Sequence, residues 1–593
     1  MFTRRAPRLL SLLLCTSFML GSAPTMANPA FDVWAERFAA DWVRLRPEWS
    51  TGIQYFDGTE QAALDRQVTP FTQAQRDREL ALARDGLAHL DRWLAGDLTA
   101  EQRNGAATMR WSVARSVHAD RFVDYGFAFN QLWGVHVRQV NLFTESHPLR
   151  RAADLPTYLA RLASAPQQLD EAIARSRAAA SRGLVPPRVI IERARTQVQA
   201  MLAPAAGDHE IVASLARRTG ALPDLSAESR NRVVEQVRAL VGEQMRPAWQ
   251  RVLNLLNDLH AKAGDDAGLW RLPDGDAAYA AALAANTTTS MSADEIHALG
   301  LREVARIEAE MDRQLRALGH AEGSVPERIT KLNASLQPPA EPDPRAQLLA
   351  RYTEHVADAQ RRSQTLFRLQ PRAPIEVRRV PQLTERTASA HYTTPTADGS
   401  RPGIFWMPLA GPTFNILGMR SLAVHEAVPG HHYQLALMQE TTTLPRWRQR
   451  RVFSGGSAHS EGWALYAEYL AIEQGWYEGD PHSLLGALNS QLFRARRLVV
   501  DTGLHAKRWT RAQAIAYGIG ASEVERYMAN PGQACAYMVG MLRILALRDE
   551  AKKALGPRFT LPDFHDVVLR AGSVPLDVMD EVVRSWIATQ PRA

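Results

Sequence analysis

The chain has 593 residues, 46% hydrophobic and 22% charged, with a formal net charge of +7 and a sequence pI near 9.5. That composition suits a globular protein with a large core. The basic excess lacks the clustered pattern of a nucleic-acid binder: Lys occurs only five times, and Arg is spread along helical stretches between Glu and Asp rather than gathered in runs.

Residues 1–27 have the form of a secretory leader. Arg4, Arg5 and Arg8 make a charged start, Leu9 to Leu20 an apolar run too short to cross a bilayer, and Ser22 to Ala27 small residues suited to cleavage after Ala27. Arg4-Arg5 lacks the rest of a twin-arginine signal, and Cys15 lies too deep in the apolar run, behind Leu14, for a lipidation site. The expectation is a periplasmic or secreted protein with no integral membrane span after cleavage. Only Cys535 would then remain, so no intrachain disulfide is possible and stability must come from the core.

From Asn28 to about residue 370 the pattern is helical. Phe71 to Leu94 carries apolar residues at helical spacing. Thr99 with Gln102, and Ser292 with Glu295, have the form of capping boxes opening the next helices. Trp133 to Phe143 is aromatic and β-branched, without clear period. Leu155 to Ala179 reads as helix, Pro186-Pro187 as a break before another from Arg188 to Leu202, and Gln236 to Lys262 as one long helix.

The texture changes at Gln370. Pro371, Pro374 and Pro381 punctuate short β-favouring pieces at 375–380, 390–393 and 404–407, with a turn at 398–403. A small antiparallel sheet of two to four strands is expected here. After it come helices at about 461–474 and 483–509, a short one capped by Thr510, another started by Ser522, a break at Pro531-Gly532, a helix at 534–555 and a final one from about Leu561. The reading divides the mature chain into an N-terminal helical region (28–370) and a second region (371–593), built as one interlocked unit.

The chemistry concentrates at His425-Glu-Ala-Val-Pro-Gly-His-His432 and at Glu461. Zinc takes imidazoles and a carboxylate, and a catalytic site leaves one position open for water. In a standard His-Glu-x-x-His motif the second His follows four residues after the first, but that position is Pro429 here. On an unbroken helix His425 and His431 would stand about 240° apart, too far around the axis to share an ion. Pro429-Gly430 offers a break that would let His431 take the place of the missing ligand, with His432 as the alternative. The expected site is one Zn2+ ion held by His425, His431 and Glu461, with Glu426 moving the proton between attacking water and leaving amine. Glu468, seven residues beyond Glu461, faces the same way but reads as too distant. Arg497, Asp501 and His505 are spaced so that each could meet the next along one helix face, Asp501 holding His505 as a protonated oxyanion donor.

The stretches at 425–434, 460–468, 494–505 and 531–540 resemble the DUF885 family of bacterial proteins, and the likeness covers nearly the whole mature chain. That family is similar to gluzincin-type zinc metallopeptidases. The resemblance implies a mainly α, multi-helix metallopeptidase-like fold with a deep cleft and a small sheet beside the metal-site helix. It also implies a role for Tyr537 in supporting an oxyanion. One departure is Pro408, where an Asn is expected after the substrate-side strand. The function so implied is an exported zinc-dependent peptidase acting on short or unfolded peptides. The alternatives are a zinc hydrolase of a non-peptide amide or ester, and an inert helical peptide-binding protein.

Overall fold

The computed structural model describes residues 26–380, 385, 388–396 and 401–590. Nearly all of the leader expected at 1–27, and half of the turn expected at 398–403, lie outside them. Among the described residues no helix is long and apolar enough to cross a membrane.

Several helices begin where a side-chain oxygen takes up a free backbone N–H. Thr72 accepts from Gln75 at the head of Gln73–Ala95, and Thr99, Ser292 and Thr510 each close a full capping box with the residue three places on. Ser522 does not cap its helix. That helix starts one residue earlier, at Ala521 after Gly520, and the buried Glu525 pairs with Arg193 and Arg511. The stretch expected as one helix from 236 to 262 runs as two α-helices joined by a π turn, Val241–Met245. Pro247, which has no N–H to donate, stands at the head of the second. The aperiodic 133–143 stretch folds as Val135–Asn141 followed by another π turn. The final helix is two, Leu561–Ala571 and Leu576–Thr589, parted at Gly572.

Three strands form the sheet: β1 (Ile375–Arg379), β2 (His391–Thr393) and β3 (Gly403–Met407), in the order β1-β3-β2. It is mixed rather than wholly antiparallel. β2 pairs antiparallel with β3, but β1 runs parallel to it, because the chain between them is long enough to return to the same end. Among the described residues β2 is paired on one side only.

The largest apolar cluster joins side chains from Phe127 to Val583, so the helices flanking 425–461 share a core with helices far upstream. A second lies among residues 129–263, and a third ties Phe31, Phe38 and Trp42 to Trp447 and Phe453. Within the main cluster, Ser457–Glu473 crosses Ala536–Leu555 at two glycines. A Cβ on Gly462 would fall 2.5 Å from Gly540 Cα, and one on Gly540 would fall 2.0 Å from the Ala458 carbonyl oxygen. Only glycine permits so close a backbone approach.

Candidate metal centre

The helix Met419–Glu426 buries Met419, Ala423 and Val424, then stops. A new helix starts at His431. The four residues between form a turn that the Trp463 indole N–H fastens to the next helix by donating to the Pro429 carbonyl at 2.8 Å. Gly430 is required there: a Cβ would lie 1.9 Å from the His425 carbonyl oxygen. The expected break between Val428 and His431 is present. Its consequence is that the rings of His425 and His431, which a straight helix would hold apart, lie 4.9 Å centroid to centroid.

Glu461 faces both. Its Oε2 is 3.7 Å from His425 Nε2 and 3.4 Å from His431 Nε2, and one ligand atom from each of the three residues falls within 4.8 Å of the others. Tetrahedral zinc with bonds of about 2.0–2.1 Å holds its ligand atoms about 3.3 Å apart. Two imidazoles and a carboxylate so spaced could hold a metal ion with small side-chain adjustments, and the donor types suit zinc. Burial raises the Glu461 pKa, but hydrogen bonding to His425 and His431 outweighs it and holds the carboxyl well below its usual range. His425 is pushed up to about 9: burial lowers it, and the hydrogen bonds to Glu461 and Glu468 more than compensate.

Glu468 is the residue that sequence reasoning set aside. Seven residues after Glu461 is two helical turns, so both carboxylates project from one face. Glu468 is fully buried, and its Oε1 accepts from His425 Nδ1 at 2.7 Å. Ser421 Oγ donates to the other oxygen, and Arg494 stands 3.7 Å away. Burial opposes the charge, but Arg494 and the His425 hydrogen bond bring the Glu468 pKa down to about 2. The signal was available: a carboxylate in an otherwise apolar helix needs a partner.

His432 is no part of the ligand group. Its Nδ1 accepts from the Tyr392 hydroxyl of β2 at 2.9 Å, which ties the sheet to the helix, and burial lowers its pKa to about 4. Glu426, beside the first ligand, lines a cavity of about 800 Å³ that also contains His425, His431 and Glu461. It has no hydrogen-bond or ion-pair partner among the described residues. Tyr537 lines the same cavity, its ring nearly parallel to His425 at 6.3 Å, and nothing described takes up its hydroxyl.

His505 is a correction. It lies outside this cavity, fully buried, with Nδ1 accepting from Leu269 N–H and Nε2 donating to the Tyr527 carbonyl, each at 3.1 Å. Burial lowers its pKa to about 4, the opposite of the protonated donor expected. Asp501 does not touch it. That carboxylate is taken by the Tyr279 hydroxyl at 2.6 Å and by Gly532 N–H, while Arg497 binds Tyr527 and Glu523. Helical spacing put the three side chains in one row, but neighbouring elements supplied each with a nearer partner.

A family model described as "Bacterial protein of unknown function (DUF885)" matches residues 47–583. A solved structure described as "the putative lipoprotein from Colwellia psychrerythraea" is 30% identical, with a TM-score of 0.85 over 94% of this chain and 100% of that one. Another, "a putative lipoprotein of unknown function from Shewanella oneidensis", shares the fold at 18% identity, with a TM-score of 0.70 over 93% of this chain and 99% of that one. No curated protein matches the sequence.

Proposed function

The chain belongs to the DUF885 family, and we propose that this member is an exported zinc-dependent peptidase that cleaves short or unfolded peptides. The observation that carries the reading is the meeting of two imidazoles and a carboxylate beside two unpaired groups, Glu426 and Tyr537, in one cavity. A zinc ion held by His425, His431 and Glu461 would polarise the scissile carbonyl and make water a better nucleophile. Glu426 accepts the proton of the attacking water and returns it to the leaving amine. The Tyr537 hydroxyl donates to the oxygen on which negative charge develops. Glu468 fixes the ring of His425 from behind. The edge of β2, paired on one side only among the described residues, supports a peptide substrate, because His391 and Tyr392 line the cavity and an extended chain can pair with such an edge. Export is supported by the leader-like residues 1–27 and by the description of both solved structures, "putative lipoprotein".

The test is metal content followed by digestion of a peptide library. The wild-type protein should carry about one zinc per chain, and His425→Ala and Glu461→Ala should lose it. Glu426→Gln should keep the metal and lose peptide cleavage. Zinc that survives both ligand changes, or cleavage unaltered in Glu426→Gln, would overturn the reading. Turnover of esters or non-peptide amides with no peptide cleavage would replace it with a different hydrolase.

A further inference from the structure

The wall of the cavity beside Tyr537 is built of arginine. Arg494, Arg496, Arg497 and Arg526 all line it, on or beside the helix Pro481–Ala506 and the helix Ala521–Ala529. Arg497 is only 6% exposed. Its Nε donates to the Tyr527 hydroxyl at 3.0 Å and its Nη2 to Glu523 at 2.9 Å, while its Nη1 is buried with no hydrogen-bond partner among the described residues. Arg526 spends two of its nitrogens on the same Glu523. One carboxylate therefore serves two guanidinium groups. Arg494 leaves its Nε without a partner as well, and its nearest carboxylate, Glu468, is already committed to His425.

Charge buried without full compensation is costly, and a structure keeps it where something else completes the pairing. Placement says what that is. The Arg497 guanidinium carbon stands 4.5 Å from the centre of the Tyr537 ring, and Tyr537 in turn lies against His425. The excess positive charge is thus one aromatic ring away from the metal ligands. A peptide whose scissile carbonyl lies between His425 and Tyr537 would carry its next one or two residues toward Arg497. Guanidinium forks match carboxylates in geometry and charge.

We propose that this arginine wall, centred on Arg497, receives a carboxylate of the substrate, so that the preferred peptides carry negative charge next to the scissile bond. The inference rests on the peptidase reading above and names its substrate class. Two sources present that carboxylate: the free C-terminus of a peptide cleaved near its end, or an acidic side chain beside the scissile bond.

The test compares matched peptides on the zinc-loaded full chain: N-acetyl-tetraalanine against its C-terminal amide, and amidated N-acetyl peptides with Glu against Gln near the cleavage point. At least one carboxylate form should show kcat/KM about ten- to a hundred-fold above its neutral twin, the effect of a charge-assisted contact in a buried site. The pair that shows it identifies the source. In Arg497→Gln that ratio should collapse toward one, and Arg494→Gln should lower it in part, serving as the second variant if the first does not fold. Equal turnover within both pairs by wild type would overturn the proposal, as would a ratio that both arginine variants retain. If no peptide is cleaved, calorimetric binding of the same four peptides decides separately. Tighter binding of a carboxylate form keeps the anion site and rejects the peptidase, and equal or absent binding rejects both.

Discussion

Nδ1 of His425 donates to Oε1 of Glu468 at 2.7 Å, which turns the ring so that Nε2 faces Glu461. A carboxylate can only accept, so a proton must sit on Nδ1, and a bound metal would take the place of the second proton, on the nitrogen that faces Glu461. Glu468→Gln should keep the shape and lose the charge. Metal affinity should fall about ten- to a hundred-fold, measured by competition with a chelator. An unchanged affinity would mean that Glu468 merely fills the core.

Tyr537→Phe separates oxyanion support from binding. The lost hydroxyl should lower kcat about a hundred-fold or more with little change in KM, since the contact forms only as charge develops. A rise in KM at constant kcat would assign Tyr537 to substrate binding instead.

Gly430→Ala places a methyl 1.9 Å from the His425 carbonyl oxygen, which is backbone and cannot swing away. The turn must open or the first helix must shift. The expected cost is about 3 kcal/mol, read by denaturant unfolding, together with loss of bound metal. An alanine variant that kept both stability and metal would show that the turn is looser than it looks.

His505→Phe should act on stability alone. It leaves the Leu269 N–H and the Tyr527 carbonyl without their partner, at about 1–3 kcal/mol each, and should spare kcat/KM of the folded fraction.

Acid should unfold the protein in a defined window. His505, His459 and His565 are fully buried histidines whose pKa burial lowers from 6.5 to about 4. Above pH 6.5 neither state binds the proton and their stability contribution is complete. Below it the unfolded chain takes up protons that the folded chain refuses, and stability drains away until about pH 4. Each histidine contributes a slope of up to about 1.4 kcal/mol per pH unit. Unfolding midpoints that stay flat between pH 6.5 and 4 would contradict this.

The helical character and the capping boxes were legible because both are local: an apolar period and a Thr or Ser three residues before Gln or Glu need no tertiary context. The meeting of the candidate ligands was legible for a related reason, since His425, Pro429-Gly430, His431 and Glu461 together leave few arrangements that join them. The direction of β1, and the partners of Asp501 and His505, were not. Each depends on what a distant segment brings up. Tyr279 claims Asp501 from more than two hundred residues away, and no spacing along the helix could announce it. Glu468 falls between the cases: its position was correctly seen as facing the ligands, but a role reached through another side chain does not need ligand distance.

The contact of Gly462 with Gly540 fixes a gauge within the candidate site. Glu461 is the immediate neighbour of the first glycine, and Tyr537 lies one turn before the second. Whatever thickness separates these two backbones therefore also sets the gap between the third candidate ligand and the proposed oxyanion donor. A single methyl at either glycine would widen that gap without touching any reacting group. Tolerance to change near this centre should thus be graded by backbone clearance, and two residues with no side chain at all would rank among the least replaceable.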